Sequence, residues 1–334
     1  MGDLERRLGS AAAYVGGAIT AAGTLAAGIM VGQVVIARLT IPGAEAPPPR
    51  SSGLYGREYG DGAPLRLAVL GDSTAAGYGV HTRAETPGAL LAGWIAEAAA
   101  RPVRLTCPAV VGSLSAWLAG QVETVLEAGA DLAIIFIGAN DVTSSASATA
   151  AARHLAEAVR ELRAAGTEVV VATCPDLGTV QPIQPPLRWL ARRWSRQLAE
   201  AQTLAVLREG ARTVSLGDLV SPAFGASPET MFGDDRFHPS AAGYRAAANA
   251  VLPTALQALG LAAPEATGRP VPLTDAAALA ARRPGTAVQP AGAWAWIRRY
   301  TSRIRPQPAE AAAARPGGFA VPSLSGELAS STDG

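Results

Sequence analysis

Four short segments of the chain hold side chains suited to acyl-transfer chemistry. They are Gly71-Asp72-Ser73-Thr74, Val111-Gly112-Ser113, Gly138-Ala139-Asn140-Asp141 and Asp235-Arg236-Phe237-His238-Pro239. A serine hydroxyl is a weak nucleophile until a neighbouring base takes its proton. His238 can be that base for Ser73. Asp235, three residues earlier, can hold the imidazole in one tautomer and stabilise the imidazolium. Attack on an ester carbonyl builds an oxyanion, for which the backbone N–H groups of Ser73 and Gly112 and the side-chain amide of Asn140 are the candidate donors. One such donor is worth about 3 to 4 kcal/mol. Glycine at 112 lets a substrate approach the backbone closely. Asp72 reads as a supporting residue, not a catalytic acid.

Taken singly, each segment has an ordinary structural explanation. Serine caps helices, Asn-Asp forms turns, and a histidine before proline can simply be at the surface. The joint pattern carries the chemistry, and the elements between the segments must bring it together. Short apolar runs predict strands at Leu65–Leu70, Val103–Cys107, Leu132–Ile137, Glu168–Thr173 and Thr213–Leu216. Longer amphipathic runs predict helices at Gly88–Ala100, Ser115–Ala128, Thr149–Ala165, Leu187–Glu209 and Ser240–Ala258. Continuous apolar strands separated by helices indicate a parallel sheet covered on both faces, hence a three-layer α/β/α domain. Active sites of such sheets gather at the carboxyl ends of the strands, and all four segments fall at that edge.

The four segments resemble the signature blocks of the SGNH hydrolases, also called GDSL esterases and lipases. Ser73 matches the family's serine, Gly112 its glycine, Asn140 its asparagine, and Asp235 and His238 its DxxH pair. Thr74 departs from the leucine of the family name. The resemblance covers roughly residues 64 to 258. It implies a flavodoxin-like sheet of five parallel strands in the order 2-1-3-4-5, and esterase, lipase, thioesterase or acyltransferase activity without a metal.

Other features bound the possibilities. A net charge of +1 gives no electrostatic reason to expect a nucleic-acid partner. Neither a GxxxxGK[ST] loop nor a GxGxxG after a strand is present, so no nucleotide cofactor is expected. His81, eight residues after Ser73, is a candidate for the cleft wall, whereas His154 lies in a predicted helix and is expected to be exposed. Neither has partners at metal-ligand spacing. In the family-like strand order Cys107 and Cys174 sit three strands apart, about 14 Å, too far for a disulfide, so both are expected to be free thiols.

The ends read differently from the middle. Leu8 to Ala37 contains no charged residue, long enough for a transmembrane helix. A cleaved signal peptide ending near Ala44-Glu45-Ala46 is the competing reading. An uncleaved anchor makes residues 1–40 a single-pass membrane segment, residues 41–63 a linker, and places the enzyme at the cell membrane. Charge counts on the two sides barely distinguish orientation; a signal anchor would put the domain outside the cytoplasm. Residues 259–334 are rich in Pro, Ala and Gly and are expected to be largely irregular. Within them Trp294–Arg305 alternates aromatic and arginine residues, as for contact with an anionic membrane, a short docked helix or a linker.

Together these features predict a serine hydrolase acting on an ester or acyl-lipid substrate. One rival keeps the site but transfers the acyl group to a sugar or lipid. Another is a non-catalytic binding protein on the same sheet, which would have no need of serine, aspartate and histidine at these positions.

Overall fold

The apolar runs become strands because each can be buried on both sides. In the computed structural model, β1 is Gly53–Tyr55, β2 Leu65–Gly71, β3 Val103–Thr106, β4 Leu132–Phe136, β5 Glu168–Ala172 and β6 Arg212–Val214. The structure describes residues 32–33, 46–144, 146–180, 182–217, 227–263, 270–283, 286–292 and 294–299; the side chains of 298 and 299 are outside this set. All belong to one unit, and a second, Arg303–Gly334, lies wholly outside the described residues.

Strands β3, β2, β4, β5 and β6 are adjacent and parallel, which is the expected 2-1-3-4-5 core. Alternation along them sends residues to two helical layers. On one face Leu67, Val69, Ile134, Phe136 and Val170 pack beneath helices α2 (Pro87–Ala99) and α8 (Ala241–Ala258), meeting Leu91, Ile95 and Val251. On the other, Ala68, Leu70, Ile135, Val169 and Val171 meet Leu118 and Val122 of α3 (Leu118–Ala128), Leu155 and Val159 of α5 (Ala148–Ala164), and Val206 of α6 (Leu187–Arg208). Two further helices are short and follow strands directly: α1 (Ser73–Ala76) and α4 (Ala139–Thr143). Helix α7 (Pro228–Met231) precedes the Asp235–His238 turn.

The five-stranded, all-parallel sheet is corrected to nine strands of mixed direction among the described residues. Strand β1, in the expected linker, pairs antiparallel with β3. At the opposite edge, in the expected irregular tail, lie β7 (Val271–Pro272), β8 (Thr286–Ala291) and β9 (Trp294–Arg299). Strand β8 adds antiparallel to β6, β9 to β8, and β7 to β9. Helix α9 (Leu273–Ala280) covers this extension, burying Ala276 and Ala280 against Leu207, Val288 and Ala295. The residues read as a membrane-facing or helical WAWIRR run are therefore an edge region of the sheet. Trp294 is exposed and Ala295 buried, the alternation of a strand.

The expected transmembrane helix is not supported by the structure. Among the described residues no helix is long and apolar enough to cross a membrane. The expected span lies outside the described residues except for Gly32 and Gln33. Gln33 is bonded to protein backbone: its Nε2 donates to Pro185 O, and its Oε1 accepts from Leu187 N–H at 3.1 Å, at the uncapped start of α6.

Candidate active site

The nucleophile candidate stands where β2 runs straight into α1. Gly71 ends the strand at φ +137°, and a Cβ there would sit 1.8 Å from Phe136 O, so no other residue fits without moving β4. Asp72 caps α1, its Oδ1 accepting from Thr74 N–H at 2.9 Å. This fulfils the supporting role read from sequence. Burial raises the Asp72 carboxyl to about 6, against the lowering effect of its hydrogen bonds to Thr74. Ser73 follows as the first helical residue and is 6% exposed.

The last segment arrives from the far end of the sequence. Gly233 N–H donates to His238 O at 2.8 Å and Arg236 N–H to Gly233 O at 2.9 Å, closing a tight turn with Arg236 at φ +54°. Inside it, Asp235 Oδ1 accepts from the backbone N–H groups of Phe237 and His238, both at 2.9 Å. Its Oδ2 lies 2.5 Å from His238 Nδ1, and His238 Nε2 lies 3.0 Å from Ser73 Oγ. Burial pushes the Asp235 carboxyl up, but the hydrogen bonds from His238 and the Phe237 amide prevail and hold it below the usual range. A carboxylate acceptor at Nδ1 fixes the proton there and leaves Nε2 free to accept the serine proton.

The imidazole is clamped by rings. Tyr78 meets it edge-on at 4.7 Å between centroids and Phe237 at 4.9 Å. The Tyr78 carbonyl accepts from the hydroxyl of fully buried Tyr244 on α8 at 2.7 Å, tying the loop after α1 to the helix after His238. Gly79 lies under the histidine; a Cβ there would be 3.3 Å from His238 Cβ.

The oxyanion candidates converge through backbone bonds. Val110 N–H donates to Gly71 O at 3.1 Å, bringing the Gly112 loop to the nucleophile's strand. Gly112 adopts φ +82° with open space where a Cβ would stand. Asn140 in α4 donates from Nδ2 to Ser113 O at 3.1 Å, which leaves its second N–H to point elsewhere. Buried Asp141 accepts from Ser115 N–H and, at 2.8 Å, from Ser115 Oγ–H, fastening α4 to the same loop.

The structure thus brings Ser73, Asp235 and His238 into one hydrogen-bonded chain, and links the Gly112 loop to both Gly71 and Asn140. It leaves the other two histidines out. His81 is exposed, and His154, half-buried rather than exposed, pairs with Glu157 at 3.2 Å. Both cysteines are free, Cys174 buried and its thiol pushed well up by that burial. No group of His, Cys, Asp and Glu among the described residues is arranged to hold a metal. Sequence reading missed Gln121, Ser115, Tyr78 and Tyr244. Each acts on a partner distant in sequence through a generic residue type, so no local signal marks it.

A family model described as the GDSL-like lipase/acylhydrolase family matches residues 69–246. The chain is 43% identical over 246 residues to GDSL-like esterase Rv1075c of Mycobacterium tuberculosis, covering 70% of this chain and 78% of that protein. Among solved structures, TesA aligns at 22% identity with a TM-score of 0.48, over 58% of this chain and 99% of its own. A catalytic mutant of Axe2, an acetylxylan esterase from Geobacillus stearothermophilus, aligns at 18% identity with a TM-score of 0.46, over 60% of this chain and 96% of its own.

Proposed function

Since the chain belongs to the GDSL-like lipase/acylhydrolase family, we propose that it hydrolyses carboxylic esters through an acyl-enzyme formed on Ser73. The observation that carries this reading is the chain of contacts from Asp235 Oδ2 to His238 Nδ1 at 2.5 Å and from His238 Nε2 to Ser73 Oγ at 3.0 Å.

The proposed cycle uses these groups in turn. Ser73 Oγ attacks the ester carbonyl carbon while its proton passes to His238 Nε2. Asp235 stabilises the imidazolium, and the N–H groups of Ser73 and Gly112 with the free N–H of Asn140 receive the oxyanion. The tetrahedral species collapses, the C–O bond to the alcohol breaks, and His238 protonates the departing oxygen. Water then gives a proton to His238 and attacks the acyl carbon, releasing the acid and restoring Ser73. Val110, Val111 and Trp117 flank Gly112 in the chain and are exposed, which supports an apolar acyl or alkyl group on the substrate.

The test is labelling of the purified chain with a fluorophosphonate and mass spectrometry of the modified peptide, with His238→Ala beside it. The expected result is an adduct on Ser73 that is lost in the variant. A folded wild-type chain that hydrolyses no short p-nitrophenyl ester and takes no label at Ser73 would reject the reading.

A further inference from the structure

We propose that Gln121 is a positioning residue for ester hydrolysis, the buried amide that locks the nucleophile's strand to the loop supplying the oxyanion donors. The inference rests on the acyl-serine reading above and adds a residue outside all four sequence segments.

Gln121 stands one turn into α3 and is 4% exposed. Its Oε1 accepts from Gly71 N–H at 2.8 Å. Its Nε2 donates to Gly71 O at 2.9 Å and to Ser113 Oγ at 3.2 Å. Both hydrogens of the amide are therefore committed. Strand pairing explains why the amide is needed. Strand β2 pairs with β3 only as far as Ala68↔Thr106, whereas its pairing with β4 continues to Gly71↔Phe136. On the β3 side the last residues of β2 have outrun their neighbour. Gly71 would there present an N–H and a C=O with no strand to bond them, a costly state in a buried position. The Gln121 amide offers one acceptor and one donor in the arrangement of an adjacent strand, while Val110 N–H adds a second bond to Gly71 O.

The same amide reaches Ser113, which follows Gly112, and Ser113 O in turn receives Asn140 Nδ2. A continuous path Gly71–Gln121–Ser113–Asn140 thus runs through every segment that supplies an oxyanion donor. Gln121 touches no reacting atom. It sets the spacing between Ser73 N–H, two residues past Gly71, and the Gly112 and Asn140 donors. Misplacement by about 1 Å costs about 100-fold in rate. Because the negative charge exists only in the transition state, the loss falls on kcat and spares KM.

The experiment compares Gln121→Met, Gln121→Glu and Thr167→Val in the full chain. Thr167 makes a buried hydrogen bond to Ala130 O at 2.9 Å, at the start of β5 and away from the carboxyl ends of the strands. Its variant controls for lost stability. Readouts are kcat and KM on p-nitrophenyl butyrate and the rate of fluorophosphonate inactivation. Gln121→Met is expected to lose 10- to 100-fold in kcat and in inactivation rate with KM within about twofold, while Thr167→Val keeps wild-type kinetics. Gln121→Glu supplies a second test should the methionine variant fail to fold. A protonated carboxyl restores one acceptor and one donor, so the kcat ratio of Gln121→Glu to wild type should rise as pH falls from 8 to 6. Taking the ratio to wild type removes the pH dependence that the two enzymes share. A Gln121→Met enzyme within threefold of wild-type kcat, or a Gln121→Glu ratio that is flat or falls with decreasing pH, overturns the proposal. Failure of wild type itself to label at Ser73 would reject the acyl-serine reading instead, so the two failures are distinguishable.

Discussion

Replacing Asp235 by asparagine probes the site at one atom, and the structure dictates how the replacement must sit. Asp235 Oδ1 accepts from two backbone N–H groups, those of Phe237 and His238, each at 2.9 Å. An asparagine could not place its NH2 there without setting donors against donors. Its carbonyl oxygen must take the Oδ1 position, which turns the NH2 toward His238 Nδ1. The imidazole must then accept at Nδ1 and carry its proton on Nε2, facing Ser73 Oγ. The base is in place but already protonated. For this tautomer error the expected loss is about 10,000-fold in kcat, about 5.5 kcal/mol in activation free energy. KM should change little, because Asp235 is 4% exposed and its Oδ2 is turned to His238 Nδ1. Steady-state hydrolysis of p-nitrophenyl butyrate at pH 7.5 measures it, with circular dichroism confirming that Asp235→Asn is folded. A folded variant with kcat within tenfold of wild type would refute the assigned tautomer and with it His238 as general base.

Gly71→Ala should lose at least about 3 kcal/mol of stability, since φ +137° and a Cβ 1.8 Å from Phe136 O offer alanine no unstrained position; thermal unfolding by circular dichroism should fall by about 6 to 12 °C, and an unchanged midpoint would show that the strand end yields. Asp72 holds its proton more tightly in the folded state, at about 6, than an ordinary aspartate does. Its contribution therefore favours folding below about pH 4 and is lost as pH rises through 6, by up to about 3 kcal/mol. Asp72→Asn keeps an acceptor for Thr74 N–H but cannot ionise, so urea unfolding should show wild type losing stability relative to the variant between pH 4 and 6, whereas parallel curves would contradict the shift. Ending the chain at Ala258, the boundary suggested by sequence, removes β8 from β6 and uncovers Leu207; the shortened chain should unfold at a lower temperature than the full one, and equal midpoints would mean that the edge extension adds no stability.

The candidate site was legible in the sequence because the chemistry it would perform restricts residue type. Ser73, Asp235 and His238 can be exchanged for little else, and Gly112 and Asn140 nearly as little, so each leaves a mark even 165 residues from its partner. The five parallel strands were legible for a similar reason. A strand buried on both faces, such as Leu132–Phe136, must be apolar throughout, and its helices must carry one apolar stripe. Strands β1, β7, β8 and β9 lack that constraint. They are short or lie toward the edges, contain Pro272 and Pro290, and are strands only because a neighbour's edge is free to pair with them. Gln33 shows the same limit, since nothing in an uncharged run marks one amide as the partner of the backbone at Pro185 and Leu187.

Sequence alone therefore marked which side chains have the chemistry for the proposed reaction and which runs must be buried, because both depend on side-chain chemistry at single positions. Tertiary structure decided how far the sheet extends and which side chains hold the reacting atoms in register. A buried glutamine, tyrosine or serine has no meaning until folding sets a particular backbone group within about 3 Å of it.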